Sequence, residues 1–253
     1  MRIKLFTGLS AVAISAFLAA PAAAEDLGGG LSVNGSATVV SDYRFRGISQ
    51  TGKDFAVQGG ITVSHESGFY VGTWGSSIDD YVAGGSDQEI DLIAGFATEV
   101  ASGTKVDVGF IYYYYPGAEK LVPGYDSDFI EPYVAVSHTL GPVTGKVLAA
   151  YAPKQNALAT PAGKQDNLYL AFDLSGGIPG TPLSAAAHIG HSFGPSYLTI
   201  GDEYTDWSLG LSYAVGPLTF GVSYVDTDIR ESEYLGGPDL SKATVVGSVG
   251  VSF

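Results

Sequence analysis

Past its first 24 residues this chain is an alternation. Apolar residues recur at every second position, and no run approaches the roughly 18 apolar residues that a membrane helix needs. Leu31, Val33, Gly35, Ala37 and Val39 alternate with Ser32, Asn34, Ser36 and Thr38. Ile90, Leu92, Ala94 and Phe96 oppose Glu89 and Asp91, and Val106, Val108, Phe110, Tyr112 and Tyr114 oppose Lys105, Asp107, Ile111 and Tyr113. Successive strand side chains point to opposite faces, so each segment has one apolar and one polar face. The 35 Gly, 16 Tyr and 12 Phe fit strands better than helices. About twelve such segments of roughly ten residues follow one another, the length of a tilted strand crossing a bilayer.

The connections alternate between short (65–68, 99–104, 140–142, 216–217) and long (77–87, 116–126, 152–166, 194–205, 226–240), and the long ones hold much of the acid. A soluble sandwich has no reason to sort its connections in this way. The expected fold is all-β: a transmembrane antiparallel barrel of about twelve strands with short periplasmic turns and long extracellular loops. An even strand number puts both termini on the periplasmic side. Val249, Val251 and the terminal Phe253 share a face of the last strand, the pattern read as a signal by the barrel-insertion machinery.

The first residues combine Arg2 and Lys4, an apolar run from Leu5, and the small residues Ala22, Ala23 and Ala24. This is the pattern of a secretory signal peptide over 1–24, leaving a barrel over 25–253. Losing Arg2 and Lys4 takes the formal charge from −14 to −16, which argues against nucleic acid as a partner. The exported chain has no cysteine, so neither a disulfide framework nor thiol chemistry is available.

The run SDYRFRGISQT (41–51), with AVQGG (56–60) and HESGFYVGTW (65–74), resembles the TorF-family porins, proteobacterial outer-membrane proteins. The match is dense over 41–76 and only architectural afterwards. The resemblance implies a small Gram-negative outer-membrane channel, with no known substrate and no catalytic residue to carry over. Continued as a strand, 41–51 would aim Tyr43 and Phe45 at lipid as part of an aromatic girdle, and Asp42, Arg44 and Arg46 at the lumen. The strand over 69–76 is expected to face Phe69, Val71 and Thr73 to lipid, with Tyr70 and Trp74 inside.

A twelve-stranded barrel has a backbone radius of roughly 13 Å. Small residues such as Ser208, Gly210, Ser212, Gly221, Ser223 and Ser248 would leave room along one wall, opposite Tyr113, Tyr133 and Tyr169. The expected path is therefore narrow and off-centre. Its pore-lining candidates form two layers: Asp42, Arg44, Arg46, Glu89, Asp91 and Glu131 toward the outside, and Lys105, Asp107, Lys146 and Asp173 toward the periplasm. Such rings set ion preference, here mildly for cations, or else pair into bridges that brace or plug the barrel. The functional expectation is passive diffusion of small polar solutes or ions. The alternative is a closed structural or adhesive barrel whose acidic loops bind partners.

No catalytic set is found. A lipid-face hydrolase would need a Ser and an acid beside His191, whose face neighbours are Ile189 and Phe193, and His188 reads as a hydrogen-bonding group of the lumen. No His/Cys spacing suggests zinc, and the acidic run 226–233 lacks the ligand spacing of a calcium loop. Neither cofactor nor metal is expected. The expected surroundings are outer-membrane lipid and lipopolysaccharide.

Overall fold

The computed structural model describes residues 25–120, 126–200, 202–229 and 240–253. The signal-peptide expectation for 1–24 lies outside them, as does much of the acidic run 226–233. In chain order the strands are β1 (Glu25–Gly28), β2 (Leu31–Val40), β3 (Arg44–Phe45), β4 (Ile48–Ser49), β5 (Ala56–His65), β6 (Phe69–Ser77), β7 (Gln88–Ala101) and β8 (Thr104–Tyr114). There follow β9 (Phe129–Leu140), β10 (Val143–Thr160), β11 (Gly163–Gly177), β12 (Leu183–Phe193), β13 (Tyr204–Val215), β14 (Leu218–Thr227) and β15 (Thr244–Ser252).

Each long strand pairs antiparallel with its sequence neighbour, and the sheet closes where β15 meets β2, Ser248 opposite Val40 and Ser252 opposite Ser36. The result is a closed barrel of twelve strands, in which each wall strand is paired on both sides, so the wall offers no free strand to template aggregation. The short strand β1 pairs with β2 from Glu25↔Val33 to Gly28↔Leu31, below the point where β15 stops. Between them the Phe253 amide and the Gly35 carbonyl, and the Gly35 amide and the Phe253 carbonyl, bond at 3.0 and 2.8 Å. The seam is therefore completed by β1 and by Phe253, and β1 is an element that the alternation did not announce.

Outward positions are apolar and exposed, among them Val57, Val71, Leu92, Val108, Leu209 and Val245. Water does not support so continuous an apolar belt; lipid does. Phe69 and Val71 lie on this surface while Tyr70 is buried and Trp74 packs inward, as the alternation implied for β6.

Two connections differ from expectation. The stretch 152–166 is not an open loop, because β10 and β11 continue as a hairpin with Gln155 opposite Gln165 and Thr160 opposite Gly163. Its inner side buries Ala157 and Leu158, so the sequence there is still a strand with something to cover. The stretch 77–87 exposes Asp80 and Asp87 as a solvated loop would, yet it buries Ile78, Ala83 and Ser86. Both fold over the long-loop end of the barrel, where Ile78, Ala83, Tyr115, Ala118, Ala157 and Leu158 join the continuous core. Across this cap the Tyr197 hydroxyl donates to the Val82 carbonyl at 3.0 Å.

Candidate functional site

The segment after β2 turns into the barrel instead of lengthening its wall. β3 and β4 pair Arg44 with Ser49 and Phe45 with Ile48, and the two-residue tip is Arg46 and Gly47. Both have positive φ, 45° and 82°, as a tight type I′ hairpin requires. Glycine accepts this freely; arginine does not, so Arg46 holds a strained backbone that its surroundings must impose. Gly47 is required twice over, because a Cβ there would collide with the Thr227 methyl on β14 and the Asp206 Cβ on β13.

Expecting Tyr43 and Phe45 in an outer girdle is therefore incorrect. Tyr43 is 1 % exposed, donates to Glu89 Oε1 at 2.6 Å and meets Trp74 edge-on at 5.6 Å. Phe45 lies edge-on to Tyr113 at 6.0 Å. Alternation assigns two faces only while the chain stays in the wall, and this segment leaves it at Ser41, whose amide donates to Gly247 O at 2.9 Å. Within the lumen both faces of the hairpin are covered.

The two arginines have different tasks. Arg44 pairs with Asp42 at 2.7 Å and donates to the carbonyls of Gly47, Leu240 and Lys242, so it fastens the hairpin to itself and to the segment before β15. Arg46 reaches across the lumen. Its guanidinium donates to Glu131 Oε1 on β9 at 2.7 Å and to Asn167 Oδ1 on β11 at 2.9 Å. It lies 4.0 Å from the Tyr169 ring centroid and 4.8 Å from that of Phe45. Further ties close the long-loop end: Tyr204 donates to the Arg46 carbonyl at 3.0 Å, Tyr81 to the Ser49 carbonyl at 2.7 Å, and the Ser49 amide to the Leu240 carbonyl at 2.9 Å.

Of the outer candidate layer, Asp42, Arg44 and Arg46 belong to this hairpin, and Glu89, Asp91 and Glu131 to the wall against which it lies. Only Arg46 reaches one of the three wall carboxylates through an ion pair recorded among the described residues, that to Glu131. Glu89 accepts from Tyr43 and, at 2.9 Å, from Tyr115. Glu131 also accepts from Tyr113 at 3.3 Å. Asp91 is the exception, with a buried Oδ1 that has no hydrogen-bond partner among the described residues, a costly position for an ionised oxygen.

The inner layer is a belt nearer the short turns, and its groups are partly exposed. Lys146 pairs with Asp173 at 3.0 Å, and Asp107 accepts from Tyr70 at 2.7 Å beside Lys105. Tyr70 in turn contacts the Tyr133 hydroxyl. His188 continues the belt, with Nδ1 2.7 Å from Asp173 and Nε2 3.0 Å from Asp206. The Tyr169 hydroxyl lies 2.9 Å from the same Nε2. Tyr169 donates to Asp206 at 3.0 Å and lies over Gly190, where any side chain would strike its ring.

Asp206, Asn167, Tyr115 and Trp74 thus belong with the site although they were not among the candidates. Asp206 was within reach, since extending the polar phase of Ser208 back by two residues lands on it. No sequence signal marks Asn167, whose role depends on Arg46 crossing the lumen. The wall of β13, β14 and β15 carries the expected small residues, but the hairpin, with Val40, Val225 and Val246 buried beside it, closes its long-loop end. Among the described residues, no three metal-ligating groups are gathered as a metal ion needs.

A closed antiparallel barrel with an apolar exterior and a charged, tyrosine-lined lumen has the porin-like fold. The chain belongs to the Gcw_chp family, described as bacterial protein of unknown function, whose profile matches residues 24–253. Among solved structures it is similar to the NanC porin, at 13% identity and a TM-score of 0.55, covering 87% of this chain and 98% of that one. It is equally similar to the KdgM porin in complex with disordered oligogalacturonate, at 9% identity and a TM-score of 0.55, covering 87% and 97%. No curated protein sequence matches the chain.

Proposed function

We propose that this chain, exported on a signal peptide over 1–24, is an outer-membrane channel for passive diffusion of small polar solutes or ions. The observation that carries the reading is the lumen: Lys105, Asp107, Lys146 and Asp173 stay partly exposed inside a barrel whose outside is apolar, a belt of charge open to a passing solute and not locked wholly into bracing bridges. The likeness to porin folds and the resemblance of 41–76 to TorF-family porins support it. Carboxylates outnumber cations along the lumen, so the channel prefers cations. Lipid and lipopolysaccharide surround the barrel, and Val249, Val251 and Phe253 present its insertion signal. On this reading the hairpin of β3 and β4 is the plug of a closed conformation.

The apolar cap around Ile78, Ala83 and Leu158 favours the second reading, a permanently closed barrel whose loops bind partners. Planar-bilayer conductance and liposome swelling with solutes of graded size separate the two. Size-dependent uptake supports the channel, while no conductance from the wild type or from a variant lacking residues 43–50 eliminates it.

A further inference from the structure

The wall of the barrel contains a finished cation site, and the protein fills it with its own side chain. Glu131, Asn167 and Tyr169 all stand on wall strands and are at most 5 % exposed. Together they present to one point a carboxylate oxygen, an amide oxygen and an aromatic face, at 2.7, 2.9 and 4.0 Å from Arg46 atoms. A planar cation that donates in its plane and stacks on its face satisfies all three at once. The group that does so comes from a hairpin tip in a strained backbone conformation, held by contacts that a displaced hairpin would lose together.

Resting on the channel reading, we propose that this is a solute site. The barrel admits small organic cations bearing a guanidinium or a primary ammonium, and these compete with Arg46 for Glu131, Asn167 and Tyr169 and so displace the plug. A ligand that binds only where the tip has left shifts the barrel toward its open form in proportion to its differential affinity. An anionic solute gains nothing here, because withdrawing Arg46 leaves Glu131 uncompensated beside Asp91.

The test uses the full mature chain folded in detergent and does not depend on conductance. In Arg46→Ala, millimolar guanidinium ion is expected to raise the unfolding temperature and to restore resistance to trypsin at Arg44 and Lys53. Equal sodium or tetramethylammonium should do neither. Adding Glu131→Gln should weaken the guanidinium effect by at least about tenfold, as the loss of a charge-assisted bond does. Where Arg46→Ala does not fold, Arg46→Gln takes its place. In the wild type, agmatine should accelerate tryptic cleavage between 41 and 55. Rescue by sodium, rescue undiminished by Glu131→Gln, or a wild-type hairpin indifferent to agmatine would overturn the proposal. A barrel that binds guanidinium and never conducts would remove the channel reading and leave the site.

Discussion

The Tyr43 hydroxyl donates to Glu89 at 2.6 Å, and the same carboxylate accepts Tyr115 at 2.9 Å, so one side chain on β7 holds both the base of the β3–β4 hairpin and the start of the loop after β8. Tyr43→Phe keeps the edge-on contact with Trp74 and removes only the hydroxyl. Glu89, only 2 % exposed, then loses one of its two tyrosine partners, which costs about 1–3 kcal/mol. The expected outcome is a folded barrel with shorter closed dwells in single-channel records and faster trypsin cleavage at Lys53. Closed dwells equal to wild type would mean that this bond does not hold the plug.

Gly47 makes a sharper test, because two independent constraints coincide there. Gly47→Ala places a methyl against Thr227 and Asp206 at φ 82°, where an L side chain is already strained. The wall strands do not depend on the tip, so the barrel should still resist unheated detergent on a gel while the hairpin no longer seats. Raised conductance at unchanged barrel stability is the expected pair of results. A loss of both would show that the hairpin is part of the fold and not a plug upon it.

Those two residues also show where the sequence stops being readable. Alternation located the wall strands, set Glu89, Asp91 and Glu131 on the lumen face, and predicted the facing of Tyr70 and Trp74, because one side of every strand meets an apolar exterior. It misplaced Tyr43 and Phe45, since period two has meaning only for a chain inside the sheet. The departure is marked by Gly47, Gly52 and polar residues that suit a loop as well as an inward hairpin. The long arm of β10 and β11 was missed for the opposite reason: its apolar residues Ala157 and Leu158 are sparse, and they cover a cap built from other loops. Arg46 was correctly sent into the lumen, but its partners depend on a crossing of the barrel that no local pattern records.

Asp79 links the segment after β4 to the cap, its amide donating to the Gln50 carbonyl at 2.8 Å and its carboxylate standing against Gly52. Burial, then repulsion from Asp54 and Asp80, raises its pKa above the ordinary value. A raised carboxylate binds more protons folded than unfolded between the two pKa values, so the contact weakens as pH rises from the ordinary aspartate range through the raised value, and strengthens on acidification. Trypsin cleavage at Lys53 should therefore slow as pH falls through that window, once corrected for the protease itself with a peptide substrate. Asp79→Asn should flatten the dependence and leave the contact in its low-pH strength. A profile unchanged by the substitution would assign the pH effect to another group.

Lys146 decides the charge of the inner belt. It sits 3.0 Å from Asp173 and near Asp107, with about a quarter of its side chain in contact with solvent, so on the channel reading its charge would act on passing ions as well as on its partner. Lys146→Ala leaves Lys105 beside Asp107 and His188 beside Asp173. The His188 contacts to Asp173 and Asp206 hold that part of the wall in place, so the change is one of field more than of shape. Ion preference follows the sign of charge lining the path. Reversal potentials in a potassium chloride gradient should move toward greater cation selectivity, and the shift should shrink at high salt, where the Debye length falls to about 3 Å at 1 M. To keep sign and geometry apart, Lys146→Met retains most of the stem and should match Lys146→Ala in selectivity while conducting less. If neither variant moves the reversal potential, the belt lies off the conduction path, and the ions pass along the serine and glycine wall of β13 to β15 beyond its reach.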